Sequence, residues 1–385
     1  MTGAVACTPD HGVGPGGRIA SPLSKGLAMV QLSAQTHIRN DAIRAVMDRL
    51  RAEHSDCEVD RGATDQWQLR MHYGLLHATL EDGGALIRVA AQDETCLSYM
   101  KMIVAGHIAG QLGSTGGLRW QGDGKDAGTP VFFREITVVS STRLSPHMQR
   151  VRFSGRDLGR FAHGGLHVRL LLPPAGRQQV WPSMGADGMI VWPSGEDALT
   201  VRVYTIRALN VAEGWLDVDF VLHPGTETPA AAFAQNARAG DVIGMIGPGG
   251  GGVPEAQNLL LVGDDTALPA IGRILAELAP STRAEVLIEV DAPQDRIVLA
   301  AGDNVAVRWL YRHGREAGCA GLLPAALRER GHSVDNLYVW AGCEFADFRE
   351  IRRIVRKEWG LPRDRHLVTA YWRRGAQGGD GGDEE

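Results

Sequence analysis

Residues 199–207 read Leu-Thr-Val-Arg-Val-Tyr-Thr-Ile-Arg, and no other segment says as much about this chain. Apolar and polar residues alternate along it with period two, which is typical of a β-strand whose two faces meet different surroundings. The alternation places Leu199, Val201 and Val203 on one face. Arg202 and Tyr204 lie on the other face, so a permanent positive charge and an aromatic ring share one side of the predicted strand.

This combination of side chains suits a flavin. An isoalloxazine is a flat plate that is held at its face and at its N5 edge, and the pyrophosphate of FAD favours a cation that never titrates, which is arginine. Arg202, Tyr204 and Thr205 are therefore candidate FAD contacts. The alternative is an ordinary amphipathic strand, since Arg-x-Tyr-Thr is short enough to occur by chance.

Further motifs follow this strand in a fixed order. They lie at 220–225 (Phe-Val-Leu-His-Pro-Gly), 239–250, 259–270, 338–344 and 370–375 (Ala-Tyr-Trp-Arg-Arg-Gly). The series closely resembles the siderophore-interacting protein family, the FAD-dependent ferric-siderophore reductases of the ferredoxin-reductase superfamily. The resemblance covers about residues 131 to 375, and ordered motifs are far more specific than any one of them.

The resemblance implies roles for individual residues. Arg202 contacts the FAD phosphates, Tyr204 packs on the isoalloxazine, and Thr205 approaches flavin N5, where the hydride arrives. Tyr204 and Thr205 are thus the candidate catalytic residues. The other candidate contacts of FAD or of the nicotinamide dinucleotide are Ile206, His223, Ala230, Ala231, Gly249, Asp265, Thr266 and Trp372.

The chain departs from the family pattern after the His223 segment. The family usually continues with Gly-Pro-Ala-Ser-x-Trp, whereas residues 228–233 read Thr-Pro-Ala-Ala-Ala-Phe. Ala231 therefore lacks a hydroxyl, and Phe233 replaces an indole. Backbone N–H groups at a helix start still bind phosphate, and Thr226 or Thr228 is a candidate to compensate, so the departure bears on FAD affinity more than on FAD identity.

Several of these features have simpler explanations. The glycine-rich loop 247–252 allows close approach of backbone to a cofactor, or is a plain hinge. Asp265 and Thr266 match the family's Gly-Asp-Glu-Thr-Ala-Leu-Pro-Ala, with Asp265 in place of its Glu, yet the same residues cap a helix well. Cys343 and Glu344 reach the nicotinamide and flavin edge in relatives, although a lone buried cysteine is more often inert.

Ferric siderophores are large and commonly anionic, so basic side chains near the exposed flavin edge are expected to bind them. The best matches to the family's basic cluster are Arg169, Arg373 and Arg374; the alternative is ordinary solvated charge. We assign no metal ligand. His163 and His167 are four residues apart, but the two glycines between them disfavour a helix.

Composition divides the chain into segments. The fold class is multi-domain: a small α+β domain, an antiparallel β-barrel and a doubly wound α/β domain. Helix stripes at Ile43–Leu50 and Leu97–Leu112 and a hairpin turn at 81–84 mark the first domain. The predicted boundaries are 1–27 disordered leader, 28–113 α+β domain of unknown role, 114–130 linker, 131–255 FAD-binding barrel, 256–375 NAD(P)H-binding domain and 376–385 acidic glycine-rich tail.

Composition also excludes several classes. The net charge of −5 argues against a nucleic-acid partner. No apolar run approaches the roughly 20 residues that span a bilayer, and the N-terminus lacks a secretory pattern, so we expect a cytoplasmic protein without a membrane span. The five cysteines form no Cys-x-x-Cys pair, which disfavours zinc and disulfides. A monomer or weak oligomer is expected.

The predicted reaction is hydride transfer from NAD(P)H to FAD, followed by electron delivery to siderophore-bound Fe(III) and loss of Fe(II). The short C-terminus slightly favours NADPH, with Arg308 or Arg312 as contacts for its extra phosphate. Two alternatives stay open: another flavin-dependent reductase of the superfamily, and a non-catalytic siderophore-binding or sensing protein. Flavin colour that bleaches with a nicotinamide dinucleotide separates enzyme from binding protein.

Overall fold

A computed structural model describes residues 32–60, 64–115, 117–124, 128–222, 228–332 and 335–376. The predicted leader at 1–27, the tail beyond residue 376, and His223 and Thr226 lie outside these ranges. The strands are β1 (Leu32–Arg39), β2 (Glu58–Asp60), β3 (Gln66–Met71), β4 (Gly74–Glu81), β5 (Gly84–Ala91), β6 (Gln121–Gly122), β7 (Phe133–Ser145), β8 (Met148–Gly155), β9 (His167–Leu172), β10 (Ser183–Met184), β11 (Ile190–Val191), β12 (Thr200–Asn210), β13 (Trp215–Val221), β14 (Val242–Gly249), β15 (Asn258–Gly263), β16 (Arg283–Val290), β17 (Val305–Tyr311), β18 (Leu337–Glu344) and β19 (His366–Trp372). The helices are α1 (Ile43–Glu53), α2 (Glu94–Leu112), α3 (Pro229–Asn236), α4 (Leu268–Glu277), α5 (Leu322–Arg330) and α6 (Phe345–Arg353).

The first compact unit contains the described residues up to 133 and the segment 175–198. Its sheet has the order β2-β3-β4-β5-β1-β6 within the described residues, and α1 and α2 pack on it. Both helices and the turn that pairs Glu81 with Gly84 are confirmed as predicted. Strand β1 was not predicted, although its alternate residues Ala34, Thr36 and Ile38 are buried and it lies between β5 and β6.

Part of the predicted linker at 114–130 is not a linker in the structure. Leu118 and Trp120 are 3% and 8% exposed and belong to the core of the first unit. The Trp120 indole N–H donates to the Asp187 carbonyl at 2.9 Å, and β6 pairs with β1. Two large apolar side chains among glycines are enough to hold this stretch against a core, because each removes substantial apolar area from water.

The second compact unit begins with a closed barrel. Its strands run in the order β12-β13-β8-β7-β14-β9, and the pairings that join β12, β13, β8 and β9 are antiparallel. Phe153, Phe161 and Phe220 fill its core. On β8 and β13, directly opposed residues form bidentate ion pairs, Arg150 with Asp219 and Arg152 with Asp217. The predicted barrel is confirmed.

The rest of this unit is a parallel sheet in the order β17-β16-β15-β18-β19 over the described residues. One face packs α4 through Ile271 and Ile274, and the other packs α5 and α6 through Leu323 and Ile351. This arrangement confirms the doubly wound class. Helix α5 and strand β19 were not predicted. The carboxyl ends of the strands converge near Asp264, where ligands of such sheets bind.

Barrel and sheet share several contacts inside the second unit. Arg273 of α4 donates to the Ile206 carbonyl of β12 at 3.2 Å. A Cβ on Gly272 would lie 2.7 Å from the Arg207 Nε, so glycine lets the guanidinium lie against α4. At a second contact, the buried Asp295 accepts from Ser145 Oγ at 3.3 Å and lies 2.9 Å from His147 Nδ1, which ties the β7–β8 turn to the loop after β16.

We expect Asp295→Ala to lower the free energy of unfolding by about 1–3 kcal/mol, because Ser145 and His147 lose a buried acceptor. Urea unfolding at pH 7 measures the change. The matched control is Asp303→Ala. Asp303 is an exposed carboxylate that lies, like Asp295, between β16 and β17, and its replacement should change the free energy of unfolding by less than about 0.5 kcal/mol. Equal losses from both variants would contradict the role given to Asp295.

Candidate functional site

Strand β12 presents its side chains as the alternation predicts. Arg202 and Tyr204 pair with Leu170 and Val168 of β9 and face the same way as those core residues. Val203 faces outward and is 63% exposed. Single exposed apolar residues are common on protein surfaces, so Arg202 and Tyr204, not Val203, mark this strand.

Tyr204 is held by the barrel. Its ring centroid lies 4.4 Å from that of Phe220, and the ring packs at the margin of the barrel core. Burial raises the pKa of the Tyr204 phenol well above its ordinary value, and the nearby Arg202 charge opposes that rise only in part. The phenol is therefore neutral at physiological pH.

Arg202 and Arg207 differ from the paired arginines of the barrel. Arg202 donates to the Val201 carbonyl at 2.8 Å, and no carboxylate in the described ranges forms an ion pair with it. Arg207 has a buried Nε without a hydrogen-bond partner, and burial lowers the pKa of its guanidinium. An arginine without a carboxylate is suited to bind phosphate bidentately.

Thr205 takes part in a contact that the sequence analysis missed. Its Oγ1 lies 3.1 Å from His167 Nδ1, and His167 Nε2 lies 2.8 Å from the Tyr371 hydroxyl. Thr205 is only 4% exposed, so the contact between its hydroxyl and His167 lies inside the protein. His167 and Tyr371 are 204 positions apart in the chain. The contact joins the barrel motif to the C-terminal motif.

Asp264 organises the carboxyl edge of the sheet. Within the described residues, four hydrogen bonds converge on its carboxylate: from Thr266 N at 2.9 Å, Thr266 Oγ1 at 2.5 Å, Glu344 N at 3.0 Å and Trp372 Nε1 at 2.8 Å. Two of the predicted contacts, Thr266 and Trp372, thus meet at one side chain. The predicted Asp265 accepts none of these hydrogen bonds; its Oδ2 accepts instead from Arg312 at 2.9 Å.

The same edge buries an excess of negative charge. Five carboxylates there are each 7% exposed or less: Asp264, Asp265, Glu289, Glu344 and Asp347. Among the described residues, the buried Arg312 forms ion pairs with two of them, Asp265 and Glu289. Burial, reinforced by neighbouring carboxylates, raises the pKa of Asp264 and of Asp347 to about 6 and that of Glu289 to about 7. Burial also raises the pKa of Cys343 well above its ordinary value, which favours an inert thiol.

Helix α3 explains the departures from the family pattern. Thr228 caps the helix by accepting from Ala231 N at 3.3 Å, so its hydroxyl already has a role. Ala230 and Ala231 are buried at the helix start. Phe233 stacks with Phe153 at a centroid distance of 6.4 Å and packs on the barrel core. The phenyl ring therefore contributes to barrel packing.

The glycine-rich loop has a packed side and an open side. A Cβ on Gly165, whose φ is +157°, would overlap the Gly249 carbonyl, so the two backbones need glycine to approach. A Cβ on Gly249 or on Gly252 would meet nothing within 4 Å. The loop therefore borders open space where a ligand's phosphates can approach the backbone.

The predicted substrate arginines lie at the ends of the strands that meet. Arg169 pairs with Val203 across β9 and β12 and faces outward with it. Arg373 stacks on Phe345, with its guanidinium carbon 3.9 Å from the ring centroid. The Arg374 backbone N–H donates to Glu344 at 3.1 Å, and its guanidinium contacts Glu316 and Cys319. The His167–Tyr371 contact brings these segments together, because Arg169 and Arg373 each lie two residues beyond it.

These residues fit FAD. Arg202 offers an unneutralised cation, and the loop at Gly249 is open to a phosphate. Ile206 takes a different place: its side chain is in the barrel core, and its backbone N–H donates to the Leu166 carbonyl at 3.0 Å.

A metal-like grouping lies elsewhere in the second unit. The ligand atoms of His147, Asp291 and Asp295 all lie within 4.8 Å of one another. Asp291 accepts from Gly314 N at 2.8 Å, and Asp295 accepts from Ser145 and from Ala292 N. Hydrogen bonds thus account for both carboxylates. Separately, no helix among the described residues combines the length and apolar character needed to cross a bilayer.

Family models match both parts of the second unit. The siderophore-interacting FAD-binding domain matches residues 137–252, and the siderophore-interacting protein model matches residues 256–375, so the two span more than half of the chain. The chain belongs to the siderophore-interacting protein family. The resemblance predicted from the ordered motifs is confirmed.

Individual members of the siderophore-interacting protein family align along most of their length. An uncharacterised protein of Mycobacterium tuberculosis is 32% identical over 267 residues, which cover 65% of this chain and 92% of the relative. The ferric vibriobactin reductase ViuB of Vibrio cholerae is 27% identical over 249 residues, which cover 64% of this chain and 91% of ViuB. Among solved structures, a siderophore utilization protein of T. fusca is 30% identical with a TM-score of 0.55. The match covers 65% of this chain and 97% of the T. fusca chain.

The buried carboxylates predict how stability depends on pH. The pKa of Glu289 is about 7 in the folded protein against 4.5 ordinarily, so between these values the folded state holds a proton that the unfolded chain has released. The free energy of unfolding should therefore fall as pH rises from 5 to 8, by up to about 3 kcal/mol from this residue. In Glu289→Gln this part of the loss should disappear.

Urea unfolding at pH 5, 6, 7 and 8 measures the effect. The exposed Glu255→Gln serves as the matched control and should follow the wild-type profile. The free energy of unfolding of Glu289→Gln should increase relative to that of the wild type as pH rises. Parallel profiles for all three proteins would show that Glu289 does not hold a proton in the folded state.

Proposed function

We propose that this chain is an FAD-containing, NAD(P)H-dependent ferric-siderophore reductase that releases iron as Fe(II) in the cytoplasm. The observation that carries the proposal is the meeting of the barrel motif with the C-terminal motif through Thr205, His167 and Tyr371. This contact gathers the candidate flavin residues and the candidate substrate arginines around one edge. Relatives named ferric vibriobactin reductase and ferric acinetobactin reductase support the same activity.

The barrel residues would hold the cofactor. Arg202 pairs with its phosphates, the backbone of the Gly249 loop approaches them, and Tyr204 with Thr205 orients the ring. The buried setting of Tyr204 and Thr205 fixes both side chains before the ligand arrives, so little conformational freedom is lost on binding. Bound FAD supplies the chemistry of accepting two electrons as a hydride and passing them on singly.

The arginines would hold the substrate. Arg169 and Arg373 supply positive charge near the site, and Arg374 is fixed through its backbone to Glu344. Stacking on Phe345 limits the motion of Arg373 while it keeps its charge exposed. An anionic ferric chelate is attracted there, and hard oxygen ligands hold iron less tightly after its reduction.

Flavin spectroscopy tests this proposal. The purified full chain should carry or take up FAD, its absorbance should bleach anaerobically with NADPH, and adding a ferric catecholate or ferric hydroxamate chelate should restore the oxidised spectrum. Bleaching without recovery by any ferric chelate would favour another flavin-dependent reductase. A chain that takes up no FAD would favour the siderophore-binding alternative.

Two substitutions separate the cofactor and substrate roles. Tyr204→Ala should weaken FAD binding by about 10-fold, because a buried ring contact is worth 0.5–1.5 kcal/mol beyond its area. Arg373→Glu should leave FAD content unchanged and raise the KM for an anionic ferric chelate by about 10-fold. Arg283→Glu, an exposed charge reversal at the amino end of β16, is the matched control. The opposite pattern of losses would refute this division.

The ion pairs of the arginines bear on which of them would contact the dinucleotide. Arg312 is 5% exposed and pairs with Asp265 and Glu289, so it is not available to a phosphate, and Arg308 pairs with Glu329 at 2.7 Å. Arg296 is exposed, and its guanidinium carbon lies 5.2 Å from the Tyr311 ring centroid. Since no carboxylate of the described residues pairs with it, Arg296 is the better candidate for the extra phosphate of NADPH.

We accordingly expect Arg296→Ala to raise the KM for NADPH by about 10-fold or more, the value of a lost charged hydrogen bond. The KM for NADH should change by less than about 2-fold, since NADH lacks the phosphate. Arg308→Ala is the control and should alter neither constant. Equal increases for both dinucleotides would show that Arg296 does not select NADPH.

A further inference from the structure

His167 lies between two polar groups from different parts of the second unit. It begins β9; on one side its Nδ1 meets Thr205 of β12, and on the other its Nε2 meets the Tyr371 hydroxyl of β19. The His167 and Tyr371 rings contact edge to face, with centroids 5.3 Å apart and planes at 89°. Both ring nitrogens are therefore used, which fixes the orientation of the imidazole.

Two glycines make room for this arrangement. A Cβ on Gly250 would overlap the His167 ring, and one on Gly342 would lie 2.8 Å from the Tyr371 ring. Gly250 also has φ of +76°, a conformation that other residues rarely adopt. The backbone thus packs against both rings. Thr205, His167 and Tyr371 are therefore held in place by their surroundings as well as by their hydrogen bonds.

The three groups are uncharged at neutral pH. Burial lowers the pKa of His167 to about 4, with a further decrease from the Arg273 charge of α4. Burial raises the pKa of Tyr371 well above its ordinary value, and Asp264 and Cys343 add to that rise. A neutral imidazole carries one N–H, so it donates at one nitrogen and accepts at the other.

The hydrogen bonds can consequently run in two directions. In the first, Tyr371 donates to Nε2 and the Nδ1–H donates to the Thr205 oxygen. The threonine hydroxyl hydrogen is then left for an acceptor other than these three side chains. In the second, Thr205 donates to Nδ1 and the Nε2–H donates to Tyr371, which leaves Thr205 only lone pairs. Both directions contain the same number of protons and differ in which imidazole nitrogen carries the hydrogen.

We propose that His167 is a positioning residue of the reduction site: it sets the direction of the Thr205 hydroxyl toward bound flavin, with Tyr371 as its second support. The inference rests on the proposed function. Flavin N5 is a hydrogen-bond acceptor when oxidised and carries a hydrogen when reduced. A threonine whose hydroxyl can be turned by its neighbour matches both states, whereas an isolated threonine would have no preferred direction.

The test uses the full chain loaded with FAD and compares His167→Ala, His167→Gln and Tyr371→Phe with the wild type. Stopped-flow reduction by NADPH should give a hydride-transfer rate about 10- to 100-fold lower in His167→Ala, because misplaced reacting groups cost that much. FAD affinity and the KM for NADPH should stay within about 3-fold. His167→Gln keeps one donor and one acceptor and should recover part of the rate.

Tyr371→Phe keeps the ring beside Gly342 and removes only the hydroxyl, so it should slow hydride transfer less than His167→Ala does. The matched control is His163→Ala, an exposed histidine four residues earlier, which should behave as the wild type. The midpoint potential of the flavin, measured by dye equilibration, should shift in His167→Ala and Tyr371→Phe and stay constant in His163→Ala. A merely structural role would not produce that pattern.

Nuclear magnetic resonance of ¹⁵N-labelled histidine gives a readout that does not depend on turnover. The His167 signals should stay those of a neutral ring from pH 5.5 to pH 8 and should exchange tautomer populations when the flavin is reduced. A flavin-loaded His167→Ala variant with unchanged rate and potential would overturn this inference alone. A wild-type chain that takes up no FAD would overturn the proposed function and this inference together.

Discussion

The carboxylate of Asp264 is the interaction on which the carboxyl edge of the sheet depends. It follows β15, the central strand, and accepts hydrogen bonds from Thr266, Glu344 and Trp372, which belong to the neighbouring turn and strands. One side chain thereby fixes the start of α4, the end of β18 and the end of β19. Because β19 also carries Tyr371, the same anchor sets where the sheet reaches the barrel through His167.

Negative charge around that anchor has consequences for the residues near it. Carboxylates packed together and removed from water stay partly protonated, and the buried Arg312 compensates only some of them. Burial first, and then the neighbouring negative charge, raises the pKa of Cys343 and of Tyr371, so they stay a thiol and a phenol. Uncharged hydroxyl and imidazole groups then remain as the polar groups that reach from sheet to barrel.

Sequence patterns predicted the architecture well, because periodicity and turn residues act locally. The barrel, the parallel sheet and the shared face of Arg202 and Tyr204 on β12 followed from alternation and from ordered motifs. The position of His167 could not be predicted in this way, since its partner Tyr371 is 204 residues away and no local pattern links them. The choice between Asp264 and Asp265 was equally hidden, because at a strand end adjacent side chains turn to opposite sides. Strand β1 was missed because five of its eight residues are polar, and Trp120 was missed because glycines surround it.

The arginines of the second unit show how one residue type is divided among tasks. Arg150 and Arg152 are paired with carboxylates directly opposite on a neighbouring strand and serve the barrel. Arg312 is buried among acids and serves the sheet edge. Arg202 and Arg296 have neither kind of partner within the described ranges, and each is held instead by a backbone carbonyl or by an aromatic ring. Restraint without neutralisation costs folding free energy and leaves charge available, and this is the condition under which an arginine binds an incoming anion.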